Sequence, residues 1–188
     1  MFIQTEETPN PLTLKFIPGV KILAKGSIEF KNADDAKGNS LASELFDTGK
    51  ISNIFLGQDF ISITKTPDSE WEHIKPNFLS IIMSFFSGGG NFNDQKNISS
   101  KPEEKIKYTK KEIEIVEKIK DLIEQRVKPA VAQDGGDISF VSFKKGVVFL
   151  ELQGACSGCP SSTMTLKSGI ENMLKYYVPE VQSVEPIN

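Results

Sequence analysis

The sequence predicts an α+β protein of two small domains joined by a flexible linker. Three observations lead there. The stretch SGGGNFNDQKNISSKPEEK, from Ser87 to Lys105, is rich in Gly, Asn, Ser and Lys and has no apolar periodicity. On both sides of it, short alternating segments lie beside longer segments of helical spacing. Each side holds roughly 80 to 90 residues, enough to fold alone. The predicted organisation is a first domain over 1–87, a linker over 88–108 and a second domain over 109–188. No repeat relates the halves.

The first domain reads as a mixed sheet with two helices. Leu12, Leu14 and Phe16 alternate onto one face of a strand over Leu12 to Ile17. After Pro18-Gly19, a second strand is expected around Ser27 to Phe30. SLASELFDTG places Leu41, Leu45 and Phe46 at helical spacing, with Gly49 as its stop. ISNIFLG and DFISITK are expected to form two strands joined at Gly57-Gln58 as a hairpin. Glu70 to Phe86 reads as a helix that Pro76 either kinks or restarts.

The second domain reads as helix, hairpin, helix, strand. Ile113, Val116, Ile119, Ile123 and Val127 make an apolar stripe that Pro129 and the turn Asp134-Gly135-Gly136-Asp137 end. ISFVSF and VVFLEL pair across Lys144-Lys145-Gly146. Leu166, Ile170, Met173, Leu174 and Tyr177 mark another amphipathic helix, stopped before Pro179. A short strand over Val181 to Val184 ends the chain's predicted elements.

Composition excludes several classes. Hydrophobic residues are 38% and charged residues 25% of the chain, which suits a soluble globular protein rather than a disordered one. A net charge of -3 and a pI near 5.4 argue against a nucleic-acid binder. The longest apolar run, Phe78 to Phe86, is too short to span a membrane and contains Ser80 and Ser84. MFIQTEETPNP at the start is neither a secretory signal nor an Arg-rich transit peptide, so the expected location is the cytoplasm of a bacterium. No nucleophile–base pair and no phosphate loop is evident, so the expectation is a protein that is not an enzyme.

Both cysteines of the chain, Cys156 and Cys159, lie in GACSGCPSS between a predicted strand and a predicted helix. A bond between them would close a very small loop and stabilise little. Cys159 suits the helix N-cap and Pro160 the first helical position. Thiolates there feel the positive end of the helix dipole. From Gly154 to Met164 there is no charged side chain, so backbone N–H groups, or a second copy of the loop, can come close.

Three readings compete at this spacing: metal or iron–sulfur binding, thiol–disulfide redox chemistry, and an incidental pair. Structural zinc and iron–sulfur clusters usually take four ligands. One chain offers two thiols and a single His, His73, which reads better as a half-exposed helix residue of the other domain. Two chains supply four thiols, which points to a homodimer holding one cluster. A thioredoxin-like βαβ unit should precede the hairpin and does not. Asp134 and Asp137 resemble a metal pair, but Asp-Gly-Gly-Asp reads better as turn chemistry with Gly supplying positive φ.

The combination of VKPAVAQDGGDI, LQGACSGCPSSTMTLKSGIENML and VPEVQSVE resembles the NifU-like (Nfu-type) domain of iron–sulfur cluster assembly. MFIQTEETPNP, TLKFIPG, LFDTGKISNIFLGQDFISITK and the Trp71 to Pro76 helix resemble the Nfu N-terminal domain that accompanies it. Leu12 and Ser40-Leu41 depart from that pattern. The resemblance implies a carrier or scaffold that binds a [4Fe–4S] cluster through Cys156 and Cys159 of each subunit across a homodimer. It implies receipt of the cluster from upstream assembly machinery and delivery to apo-proteins; charge and the lack of a spanning run leave no nucleic-acid or membrane partner expected.

Overall fold

The computed structural model describes residues 2–92, 108–157 and 160–187. The chain divides into two compact units, Met1–Ser99 and Ser100–Asn188. Most of the predicted linker, residues 93–107, lies outside the described residues. Phe92 and Tyr108, which the sequence assigns to the linker, pack on the units they adjoin. Phe92 is buried against Phe85 at 5.1 Å, and Tyr108 Oη accepts a hydrogen bond from the Phe143 N–H at 3.1 Å.

The first unit is a five-stranded sheet: β1 (Gln4–Glu7), β2 (Thr13–Ile17), β3 (Ile28–Phe30), β4 (Ile51–Leu56) and β5 (Ile61–Lys65), in the order β1-β2-β5-β4-β3. It is antiparallel throughout, not mixed. β1 has no counterpart in the sequence reading, because QTEE offers no apolar alternation. Its pairing with β2 holds it: Glu7 lies opposite Leu14 and Gln4 opposite Ile17. Helix α1 (Ser40–Asp47) starts at Asn39, whose buried Oδ1 accepts the Ala42 N–H at 2.8 Å. Gly49, at φ 68°, ends it as the sequence predicts.

Helix α2 (Trp71–Ser87) runs through Pro76 as one element. Proline's missing N–H removes one bond near the first turns. The burial of Phe78, Ile81 and Ile82 against the sheet outweighs that loss. Trp71 fixes the helix start, with its ring 6.5 Å from Phe16 and edge-on to Phe78 at 6.2 Å.

The second unit opens with α3 (Lys110–Leu122), closed at its start by a capping box between Thr109 and Glu112. Pro129 does not end this rod, contrary to the sequence reading. A π turn over Ile123–Val127 widens the helix, and α4 (Lys128–Gln133) continues it. The widened turn, with the Lys128 N–H reaching the Ile123 carbonyl, relieves the clash of a proline ring with the preceding turn. Ile113, predicted within the buried stripe, is 43% exposed; Val116, Ile119, Ile123, Val127 and Val131 carry the buried face.

Strands β6 (Gly136–Lys144) and β7 (Val147–Gly154) form the predicted hairpin, with positive φ at both Lys145 and Gly146. Helix α5 (Pro160–Tyr177) follows the cysteine loop. β8 (Ser183–Ile187) then lies parallel to β7, two residues later than predicted. Glu171 ties α5 to β8: its Oε2 accepts the Val184 N–H at 3.0 Å while Oε1 accepts from Lys175 at 2.6 Å. No helix among the described residues is long and apolar enough to cross a membrane.

Candidate functional site

The site is built where β7 ends. Gly154 takes φ 66°, a conformation that favours glycine, and turns the chain out of the sheet into Ala155–Ser157. The Ser157 N–H and hydroxyl both donate to the Gly154 carbonyl, at 3.2 and 2.9 Å, and close the turn. The Ala155 N–H donates to the Gly135 carbonyl at 3.2 Å, fastening the loop to the start of β6. From the helix side, the Thr163 hydroxyl donates to the Cys156 carbonyl at 3.0 Å. The backbone around Cys156 is therefore held from both neighbouring elements.

Cys156 itself is 4% exposed and belongs to the core of the second unit, with Ile138, Leu152 and Ile170. Cys159 lies outside the described residues. Pro160 opens α5, as its position after the second cysteine predicts.

Gly136 explains how the sulfur fits. A Cβ placed there would lie 2.5 Å from the Gln153 carbonyl oxygen and 2.9 Å from Cys156 Sγ. The sulfur therefore occupies space that any side chain at 136 would take. The sequence reading took both glycines of Asp134-Gly135-Gly136-Asp137 as turn residues of positive φ. Only Gly135, at φ 81°, is one. Gly136 and Asp137 already belong to β6, opposite Gly154 and Gln153, and the second glycine is present for room. Asp137 Oδ1 accepts the Ile138 N–H at 2.8 Å.

His73 is exposed on α2 of the first unit. Among the described residues no three His, Cys, Asp or Glu side chains gather as metal ligands. Thr163 is a site residue the sequence reading left without a role, and Gly136 one to which it gave a different role. A hydroxyl in the first turn of a helix that follows a tight loop was the available signal for Thr163.

Together these features define a two-unit α+β protein with a thiol loop at the strand-to-helix junction of its second unit. Two family models match it. One, described as scaffold protein Nfu/NifU N terminal, covers residues 3–89; the other, NifU-like domain, covers residues 119–185. The chain belongs to the Nfu-type family of NifU-like proteins and carries both of its domains.

It is 45% identical over 189 residues to a protein of Drosophila sechellia named NFU1 iron-sulfur cluster scaffold homolog, mitochondrial, covering 100% of this chain and 65% of that one. A protein of the same name from Drosophila ananassae is 44% identical, with 100% and 64% covered. The chain thus spans a little under two thirds of the length of these curated relatives. Among solved structures, a NifU-like protein from Saccharomyces cerevisiae is 25% identical with a TM-score of 0.47, covering 51% of this chain and 87% of that one.

The expected bacterial cytoplasmic location is overturned by these relatives, which are named mitochondrial. The reasoning behind it took residues 1–11 as the place where a targeting signal would stand. This chain is about a third shorter than those relatives, so that composition carries no information on location.

Proposed function

We propose that the protein binds an iron–sulfur cluster as cargo and passes it to apo-proteins, acting as a carrier or scaffold rather than as an enzyme. The cluster is [4Fe–4S], held by Cys156 and Cys159 from each of two chains. One observation carries this reading. The chain's two thiols sit in one loop, and no described cluster of side chains supplies further ligands. Four-thiolate ligation then needs a second copy. The names of the relatives support the scaffold role, and the family's use of its cysteine loop motivates the ligand assignment.

The chain's own residues suggest how the loop works. Gly154, Ser157 and Thr163 hold the backbone on either side of Cys156, while its sulfur lies against Gly136. Ligation draws that sulfur out of the core toward the partner loop. Transfer is ligand exchange: a thiolate of the acceptor forms a bond to iron as a carrier thiolate leaves, with no change of oxidation state. Each displaced thiolate takes up a proton from solvent or returns to its place in the loop. Upstream assembly machinery loads the cluster.

Anaerobic reconstitution with iron and sulfide, followed by a visible spectrum and native mass, tests this. A brown dimer with about one cluster per two chains is expected from four-thiolate ligation. A colourless monomer that reduces disulfides without iron would refute it in favour of an oxidoreductase. A colourless dimer with one zinc per two chains would refute it in favour of a structural metal link.

A further inference from the structure

The first unit carries a groove that the cluster chemistry does not use. It has a volume of about 520 Å³ and lies between β1 and the first turns of α2. That is within the range of roughly 300–1,000 Å³ typical of ligand sites. Thr5 and Glu7 are two apart on β1 and therefore share a face. They are paired with Phe16 and Leu14 of β2, and Phe16 contacts Trp71. The groove is thus the part of the helix-covered sheet face that α2 leaves open at its edge strand. Its wall continues from β1 along Pro9 and Pro11.

Trp71 forms the opposite wall with Glu72 and Lys75. The indole is half-buried, and its Nε1–H donates to the Pro11 carbonyl at 3.2 Å, which fixes the ring in place. Glu7 and Glu72 are exposed, and neither makes an ion pair with a described residue; nor does Lys75. By contrast the next carboxylate along β1, Glu6, pairs with Lys15 at 3.4 Å. The groove therefore combines a fixed aromatic ring, two proline surfaces and two carboxylates that pair with no described cation, against one lysine.

We propose that this groove docks an extended, Arg- or Lys-bearing segment of a partner protein. Charge complementarity selects a cation: two carboxylates of the groove make no ion pair with a described residue, and an indole attracts cations to its face. The run of the wall along β1 and over two prolines suits a peptide chain, whose backbone and apolar stems cover Pro9, Pro11 and Leu14 while its cation reaches Glu7, Glu72 and Trp71.

Trp71 is the only Trp of the chain, so its emission reports the groove directly. The test titrates the full-length protein with a blocked hexapeptide of alternating threonine and arginine, at low ionic strength. Controls are the same peptide with glutamate for arginine, and spermidine. The expected result is a saturable shift of Trp71 emission with the arginine peptide alone. Glu7→Gln combined with Glu72→Gln should weaken that binding about tenfold, the combined effect of two exposed charge pairs. Lys75→Gln should tighten it about threefold, and added salt should weaken it.

All three substituted side chains lie at the surface of the groove, and an unchanged unfolding midpoint of each variant confirms that the unit is intact. Three results would overturn the proposal: no saturable shift up to millimolar arginine peptide, equal shifts with the glutamate peptide or with spermidine, or binding indifferent to the Glu7 and Glu72 substitutions. Because the readout needs no cluster, its failure leaves the carrier reading untouched.

Discussion

Gly136→Ala puts the packing beneath the cysteine loop to a direct test. The added methyl would lie 2.5 Å from the Gln153 carbonyl oxygen and 2.9 Å from Cys156 Sγ, where ordinary contact begins at 3.4 Å. Neither atom ends a flexible side chain. The carbonyl belongs to β7, whose Gln153 lies opposite Asp137, and the sulfur is held in the core. The strands must therefore separate by several tenths of an ångström at a ladder position, and the thiol must shift as well. Overpacking of a well-filled interior costs about 1–3 kcal/mol, and a backbone collision places this one at about 2–3 kcal/mol. For a domain of this size that lowers the melting midpoint by roughly 10–20 °C.

The chain provides its own assay for this substitution. Its Trp is in the first unit, whereas its three Tyr, Tyr108, Tyr176 and Tyr177, are in the second. Tyrosine absorbance should show the lowered midpoint while Trp71 fluorescence stays at the wild-type value. Gly169→Ala is the counterpart. Nothing lies within 4 Å of a Cβ there, and the residue is inside α5, so alanine should stabilise the unit by about 0.5–1 kcal/mol. A Gly136→Ala protein whose tyrosine midpoint falls by less than about 3 °C would refute the account of this glycine as space for the thiol.

Further expectations concern the site and the helix ends. Thr163→Val removes the donor to the Cys156 carbonyl and should destabilise the second unit by about 1 kcal/mol, read by tyrosine absorbance; an unchanged midpoint would show the bond to be idle. With Cys159→Ser leaving Cys156 as the one thiol, maleimide labelling of the cluster-free protein should run at least about tenfold slower than after denaturation, because the thiol is 4% exposed and only opened states react. Equal rates would contradict its burial. Asn39→Ala should cost the first unit about 1–2 kcal/mol by removing the buried cap on Ala42, seen as an earlier Trp71 transition in urea. The Glu171 carboxyl is held below its ordinary value of 4.5, first by the hydrogen bond from Lys175 and then by the Val184 N–H. Its contribution to stability is therefore complete above pH 4.5 and is lost as pH falls below that through the lower folded value. Glu171→Gln should flatten this acid limb of a pH titration of the tyrosine midpoint; an unaltered limb would place the acid sensitivity elsewhere.

By itself the sequence determined the elements whose signals are local. Period-two runs gave β2, β4, β5 and the β6–β7 hairpin. Runs of helical spacing gave α1, α2 and α5, and the GACSGCPSS loop placed both thiols before a helix at Pro160. It also held the family, because VKPAVAQDGGDI and LQGACSGCPSS are specific as a pair. Tertiary contacts decided the rest. β1 is a strand only because β2 supplies its partner, and the helical rod runs on from α3 through Pro129 in α4 only because a π turn keeps Val127 and Val131 in one core. Gly135 and Gly136 look alike in a string of letters; one is demanded by its backbone angle, the other by a carbonyl and a sulfur 17 and 20 residues further along the chain. Dihedral preferences are written in neighbouring residues and survive in the sequence. Space is shared between strands brought together only by folding, so the burial of Cys156 beneath β6 could be seen only once the two were side by side.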